Sequence, residues 1–293
     1  MGRLTARTRL TRLRAGAPVR DVTDVVAVEE PLELRAGGDV LTVTMRTPGH
    51  DIELAHGWLL SEGVITGRDD VSQARYCAGS IVEDETGAAK NTYNVLDLDF
   101  APGVDPGGGR RTWTTSACGV CGVDSLAALA RPELAARAQA QAELGAVEPS
   151  IDLEVLFTLP DRLRAAQKVF ASTGGAHAAG LFDLDGTLLV AREDVGRHNA
   201  VDKVLGWALL QDRLPLRDAA LVVSSRVSYE LVLKAASAGV PILAAVSAPS
   251  SHALQAADAW GVCVVAFLRD TSCNVYTHRG RVRLQGDEGH APP

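Results

Sequence analysis

The sequence predicts an α/β protein: a mixed sheet with parallel strand pairs and helices on both faces, preceded by a smaller α+β N-terminal region. Three observations carry this. From residue 178 onward, short apolar runs alternate with helical stretches, and that alternation needs crossover connections and hence parallel neighbours. Val222-Val223 and Ile242-Leu243 are continuous apolar runs, as in strands buried on both faces. At 293 residues, 46% apolar and 22% charged, the chain can bury a sizeable core in one large domain or two smaller ones.

The elements follow in order. Arg3, Arg7, Arg9, Arg12, Arg14 and Arg20 crowd the first twenty residues without the apolar run of a secretory signal. Residues 1–20 are expected as a disordered basic tail. Residues 21–110 form the N-terminal region: Val40–Thr47 alternates as a strand, Glu53–Glu62 is a helix with Ala55, Trp58 and Leu59 on one side, and Asn91–Phe100 is another strand. The Gly/Pro-rich stretch Ala101–Arg110 is the expected boundary. Residues 111–149 hold a Cys-containing loop and an Ala-rich helical connection over Arg131–Gly145.

Residues 150–283 form the C-terminal α/β domain. Ile151–Phe170 is helical, with Pro160 expected to force a break or restart. Ala178–Leu184 and Thr187–Arg192 make a hairpin on the Asp185-Gly186 turn. Val195–Leu210 is a helix, Ala220–Ser224 a strand, Ser228–Ala238 a helix, Pro241–Ser247 a strand, Ser250–Trp260 a helix and Val262–Arg269 a strand. Residues 284–293 are expected to be loose.

Composition narrows the function. No apolar run reaches transmembrane length, so no membrane contact is expected. A net charge of −7 argues against nucleic acid, which wants a basic face. Five cysteines, an odd number, do not suggest a disulfide scaffold, and the expected location is cytoplasmic, where thiols stay reduced.

The chemistry gathers first at Cys118 and Cys121, in Ser116-Ala117-Cys118-Gly119-Val120-Cys121-Gly122. An apolar helical run follows at once, through Val123, Leu126, Ala127 and Leu129. A thiol at a helix start faces unpaired N–H groups and the positive end of the dipole, which favour thiolate, the nucleophilic form. Catalytic sulfur handling, a redox pair and half of a zinc site all fit CxxC spacing. Zinc needs two more ligands, and Cys77, Cys263 and Cys273 supply no second CxxC, so no metal is expected. Asp183-Leu184-Asp185-Gly186-Thr187 fits the DxDGT signature of haloacid-dehalogenase-like phosphatases, but it lies deep in the chain, no paired acidic motif follows, and a tight turn explains it.

A second gathering is a set of polar strand ends. Thr173-Gly174-Gly175-Ala176-His177 is a Gly-rich corner before a strand, where backbone can approach a ligand or simply turn. Glu193–Asn199 opens a helix and puts Arg197 and His198 at a pocket edge, or merely caps that helix. Ser224 and Arg226, Ser247, and Phe267–Asp270 follow or end three successive strands, the edge where open α/β sheets bind ligands. Hydroxyls and guanidinium groups there suit a phosphate-bearing ligand, although no Walker A or GxGxxG pattern is present.

Taken together, these segments resemble the FdhD/NarQ family of formate dehydrogenase accessory sulfurtransferases. The resemblance rests on Glu29-Glu30-Pro31-Leu32, Met45-Arg46-Thr47-Pro48-Gly49, the Cys118–Gly122 loop, Thr173–His177, Glu193–Lys203, Ser224–Glu230 and Val246–Pro249, in that order. It implies a C-terminal domain like the cytidine deaminase fold, and a homodimer. It implies that Cys118 carries persulfide sulfur from a cysteine desulfurase, with Cys121 as a possible resolving thiol. The acceptor would be the bis-molybdopterin guanine dinucleotide form of the molybdenum cofactor, before that cofactor enters formate dehydrogenase. The cofactor-binding stretch would be Phe267, Leu268, Arg269, Asp270, Thr271 and Ser272, with GDP binding as a fragment. The other reading is a non-catalytic chaperone of the same cofactor.

Overall fold

The computed structural model describes residues 4–77, 81–83, 89–91, 93–106, 112–114, 136 and 149–284. Strand β1 (Thr5–Arg12) pairs antiparallel with β2 (Arg20–Ala27), so the Arg-rich start is a hairpin and not the expected disordered tail. The arginines are interleaved with strand-favouring threonines. Leu10 lies opposite Val22, Thr8 opposite Asp24, and the Thr11 hydroxyl donates to Asp21 at 2.8 Å. The partner strand's carboxylates offset the basic charge that suggested a solvated coil.

β3 (Glu30–Ala36) and β4 (Asp39–Arg46) form a hairpin, followed by α1 (Asp51–Glu62). Then come β5 (Val71–Tyr76), the small pair β6 (Ile81–Glu83) and β7 (Ala89–Asn91), β8 (Val95–Phe100) and β9 (Thr112–Thr114). The five-stranded sheet runs β5-β8-β3-β4-β9. β9 pairs parallel with β4, Thr114 opposite Thr44, so the chain returns to this sheet after the Gly/Pro-rich stretch. The sheet therefore gains a strand from beyond that stretch, which does not mark the end of the N-terminal sheet. Apart from residue 136, Arg131–Gly145 lies outside the described residues.

The second half begins with β10 (Ile151–Asp152), α2 (Leu153–Ala166) and α3 (Lys168–Thr173). Pro160 sits inside α2 without ending it; the break comes at Gln167. A proline removes one helix bond, but Leu156, Leu159 and Leu163, all buried, hold both sides of it against the sheet. β11 (His177–Asp183) and β12 (Leu188–Asp194) form the expected hairpin, with Gly186 at φ 87° in the turn. Then follow α4 (Arg197–Leu210), β13 (Ala219–Val223), α5 (Tyr229–Ser237), β14 (Ile242–Ala245), α6 (Ser251–Ala259), β15 (Cys263–Arg269), β16 (Ser272–Val275) and β17 (Val282–Arg283), which pairs with β10. The six-stranded sheet runs β12-β11-β13-β14-β15-β16, with β13, β14 and β15 mutually parallel. Alternation splits each central strand between two cores. Ala220 and Val222 face α2, while Leu221 and Val223 join the core shared with α1, α4, α5 and α6. No described helix is long and apolar enough to cross a membrane.

The two sheets are joined by α1 packed on α4. A Cβ on Gly57 would stand 1.9 Å from the Asp202 carbonyl oxygen, and one on Gly206 would stand 1.8 Å from that of Glu53. Only glycine permits this approach. Buried polar groups line the same seam. Lys203 Nζ reaches Asp194 at 2.7 Å and the Thr47 carbonyl at 2.8 Å. Thr47 N–H donates to Asp194 at 3.1 Å, and the Asn199 amide donates to the Met45 carbonyl at 2.7 Å. Asp202 accepts from Lys234 at 2.6 Å and from Ser61 at 2.9 Å. Arg46 makes a bidentate pair with Asp51, both bonds at 3.0 Å.

Candidate functional site

A cavity of about 570 Å³ opens where β13, β14 and β15 reach their carboxyl ends and β11 begins. That is the edge at which open α/β sheets bind ligands, and the volume lies within the ~300–1,000 Å³ usual for small-molecule sites. The topology explains the juxtaposition. β11 runs antiparallel to β13, so its start, at His177 and Ala178, lies at the edge where Ser224 stands just past the end of β13. The Ser224 hydroxyl accepts from the Ala178 N–H at 2.9 Å, fixing that edge. Val246 and Leu268–Asp270 bring in the ends of β14 and β15.

Of the residues singled out in the sequence, Gly174, Gly175, His177 and Ser224 line this cavity, as do Leu268, Arg269 and Asp270. Gly174 ends α3 at φ 67°, a conformation other residues avoid. The backbone around Asp270 also has positive φ, 41°, in the tight link from β15 to β16, and Phe267 has φ 52° at the bulge in that pair. Phe267, Thr271 and Ser272 are exposed and do not line the cavity. Ser247 does not line the cavity; its carbonyl accepts from Phe267 N–H at 3.3 Å. Arg226 is exposed and also stands outside the lining. His198 does not line it either; its Nε2 lies 2.9 Å from Glu230 Oε2. Cys118 and Cys121 lie outside the described residues.

The opposite wall is one the sequence reading missed: Asp161, Leu163, Arg164, Gln167 and Phe170 of α2 and α3. The Arg164 guanidinium sits 4.0 Å from the centre of the Phe170 ring. Glu193 anchors the start of α3, its two carboxylate oxygens accepting from Val169 N–H and Phe170 N–H, each at 2.8 Å. A signal was present. Leu156, Leu159, Leu163, Gln167 and Phe170 keep helical spacing, so Gln167 falls in an apolar stripe. An expected break at Pro160 cut that stripe in two.

Electrostatically the cavity suits a neutral imidazole beside fixed cations. Burial pushes His177 below its ordinary value, and the charges of Arg197 and His198 push the same way against the opposing pull of Asp194. Arg269 keeps an anchor, its Nε donating to the Val246 carbonyl at 3.4 Å. With Gly174 and Gly175 leaving backbone accessible, the arrangement can take an anionic ligand carrying a flat, polar ring.

The class of protein is thus an α/β protein with a ligand cavity at the carboxyl edge of its sheet, closed on one side by a helical corner. The pattern described as the FdhD/NarQ family matches residues 27–283, and the chain belongs to that family. It is 52% identical over 282 residues to the sulfur carrier protein FdhD of Mycolicibacterium paratuberculosis, covering 95% of this chain and 99% of that one. It is 48% identical over 293 residues to the protein of the same name from Streptomyces coelicolor, covering 99% of each. A crystal structure of a proposed formate dehydrogenase accessory protein from Desulfotalea psychrophila is similar in fold, with a TM-score of 0.71 at 22% identity, over 96% of this chain and 100% of that one.

Proposed function

We propose that this protein is a sulfur carrier for the maturation of formate dehydrogenase. Cys118 takes sulfur from a cysteine desulfurase as a persulfide and passes it to the bis-molybdopterin guanine dinucleotide form of the molybdenum cofactor. The acceptor's nucleotide end lies in the cavity between Arg269, Ser224, the Gly174–Gly175 corner and Gln167. Relatives about half identical over nearly their full length bear the name sulfur carrier, which supports the first step.

One observation carries the link between thiol and cavity. β9 ends at Thr114, four residues before Cys118, and runs parallel to β4. β4 leads to Thr47, whose hydroxyl accepts from Val195 N–H at 3.1 Å, and Val195 lines the cavity. The strand that precedes the CxxC segment therefore points toward the same end of the molecule as the cavity.

The sulfur chemistry balances with the chain's own thiols. The Cys118 thiolate attacks the outer sulfur of the donor persulfide, and the donor's thiolate leaves. The bond from Cys118 to the carried sulfur breaks when the Cys121 thiolate attacks the Cys118 sulfur. A Cys118–Cys121 disulfide forms, and the outer sulfur departs as sulfide with the two electrons the dithiol has lost. An external thiol reductant then restores the pair.

The test is incubation with a cysteine desulfurase and cysteine, followed by peptide mass spectrometry. A reducible extra sulfur is expected on the peptide containing Cys118. Sulfur found only on Cys77, Cys263 or Cys273 refutes the assignment. Cys118→Ala is expected to abolish formate dehydrogenase maturation in a complementation assay, whereas undiminished maturation favours a chaperone that merely holds the cofactor.

A further inference from the structure

The β1–β2 ribbon is a strongly charged patch that the sulfur chemistry leaves unused. Residues 1–20 hold six arginines and no Lys, Asp or Glu, in a chain whose net charge is −7, so the rest of the molecule is more acidic still. Arg7, Arg9, Arg12, Arg14 and Arg20 are exposed, and their guanidinium groups make no hydrogen bond or ion pair among the described residues. The ribbon's own carboxylates are engaged elsewhere. Asp21 accepts from the Thr11 hydroxyl at 2.8 Å, and Asp24 from the Val25 N–H at 2.9 Å. Arg12 stands directly opposite Arg20 in the register. Like charges facing each other across a strand pair work against folding. Folding gives no reason for that pair, whereas an anionic group brought from outside does.

The ribbon reaches outward from the cavity rim. Its base is fixed: Val28 N–H donates to the Leu4 carbonyl at 3.0 Å, β2 packs on α3, and the Ala27 methyl lies 3.5 Å from where a Cβ on Gly175 would stand. Gly175 lines the cavity. The far half has no such support, and every residue from 11 to 21 is exposed. Two strands of eight residues carry the tip about 25 Å from that base.

Its composition says what would cover it. All six basic residues are arginine, which protein interfaces favour, and none is lysine, which they avoid. Leu13 and Val19 are 73% and 67% exposed, which puts apolar ground beside Arg12, Arg14 and Arg20. Nucleic acid fits less well. Asp21 and Asp24 share the ribbon, and the acidic remainder of the chain repels a polyanion.

We propose that the β1–β2 ribbon is a docking arm for the sulfur donor, a protein that meets it with an acidic surface, and that it brings this partner to the rim of the cavity. This rests on the sulfur-carrier reading given above. There the acceptor enters the cavity as a small molecule, so the donor is the macromolecule that must come to the thiol. Exposed charges of this kind act mainly on encounter and on its salt dependence.

The experiment follows sulfur loading of Cys118 in the full chain by peptide mass spectrometry. One donor is a cysteine desulfurase with cysteine; the other is glutathione persulfide, too small to need a docking surface. In both routes the Cys118 thiolate attacks the outer sulfur and the donor leaves as its thiolate. Arg20→Glu makes the facing pair one of opposite charges, so the ribbon should fold at least as well and the thermal midpoint should not fall. It should nonetheless raise the half-saturating desulfurase concentration. Arg12→Gln, Arg14→Gln and Arg20→Gln together should raise it about tenfold, with loading by glutathione persulfide unchanged in both variants. Raising salt from about 0.01 M to about 0.15 M shortens the screening length from ~30 Å to ~8 Å. That should weaken loading of the unaltered protein by the enzyme and leave the triple variant nearly unmoved. Equal half-saturation in the unaltered protein and both variants overturns the arm. Loss of glutathione persulfide loading in either variant overturns it too, since the ribbon would then be shaping the surroundings of the thiol. A fall in oligomeric mass of Arg20→Glu in sedimentation assigns the ribbon to a second copy of this chain. Ribbon-dependent binding of a labelled RNA oligonucleotide at about 0.15 M salt assigns it to nucleic acid, and either result overturns the acidic protein partner. Failure of both donors to load the unaltered protein overturns the sulfur-carrier reading itself, a different result from any of these.

Discussion

His177 shows how a single residue couples the site to the solution. Its imidazole is held below the ordinary value by burial and by the nearby charges of Arg197 and His198, so folding favours its neutral form. The unfolded chain therefore binds more protons as pH falls below ~6.5, and stability present above that pH is lost as the solution becomes acidic. Urea unfolding midpoints should fall between pH 7 and pH 5, and His177→Gln should flatten that decline. An equally steep decline in the variant would assign the pH dependence elsewhere, for example to His56, which burial pushes the same way despite its bond to the Ile52 carbonyl. Glu53 works at a lower pH. Burial pushes it up, but hydrogen bonds and charge from Arg192 and His50 outweigh this and hold it at about 2. Its contribution is intact above the ordinary carboxylate range and is lost only as pH falls from about 4.5 toward 2. Arg192→Gln should therefore move the onset of acid unfolding to higher pH, followed by circular dichroism. At this scale the sequence revealed half of the cavity. Gly174, Gly175, His177, Ser224 and Arg269 announce themselves because small or polar residues at strand ends have few other uses. Gln167 was hidden because its meaning depends on where α2 stops, and that is decided by packing of Leu156, Leu159 and Leu163 more than by Pro160.

Among elements, the α1–α4 crossing is where the fold is least tolerant. Gly57 and Gly206 each meet a backbone oxygen of the other helix that cannot withdraw without breaking helix geometry. Overpacking a core usually costs about 1–3 kcal/mol, and contacts this short against backbone should put Gly57→Ala and Gly206→Ala at or above about 3 kcal/mol. Denaturant titration measures it, and a loss under about 1 kcal/mol would mean that the helices can slide apart. The charges beside the crossing behave differently. Lys203→Met strands the fully buried Asp194 carboxylate, an effect on the order of 3–5 kcal/mol, while adding Asp194→Asn should restore part of it because the stranded charge is removed. Most elements were legible, since β13, β14 and β15 and the helices between them show clean alternation of apolar runs and helical periodicity. The Arg-rich hairpin was not, because pairing with Asp21 and Asp24 is a property of two segments read together. In the sequence, Glu193–Asn199 reads as pocket edge or helix cap, and the Met45–Gly49 motif enters only through the family resemblance. In the structure they chiefly hold the two sheets to each other, and reach the cavity through Val195 and the α3 anchor at Glu193.

For the whole molecule, the question is whether two sheets make two folding units. The hydrophobic core answers it. Leu32, Leu34, Leu96 and Leu98 of the five-stranded sheet, Leu54 and Leu59 of α1, and Leu221, Leu243 and Val264 of the six-stranded sheet belong to one continuous buried cluster. The helices between the sheets thus have no face left over for water, and separating the halves would expose α1, α4 and their buried charges together. Each half would lose the wall that satisfies the other, including Thr47 for Lys203 and Asp194, and Ser61 for Asp202. Unfolding should accordingly be a single cooperative transition, with calorimetric and van't Hoff enthalpies equal. A fragment of residues 149–293 should not fold alone, despite containing the whole six-stranded sheet. It should show weak near-ultraviolet circular dichroism and bind an apolar dye, as a collapsed chain without fixed packing does. A fragment with a sharp thermal transition of its own would divide the molecule into independent domains. It would also weaken the argument that the cavity is positioned by the N-terminal sheet, because Val195 and the α3 anchor would then hold their places without Thr47.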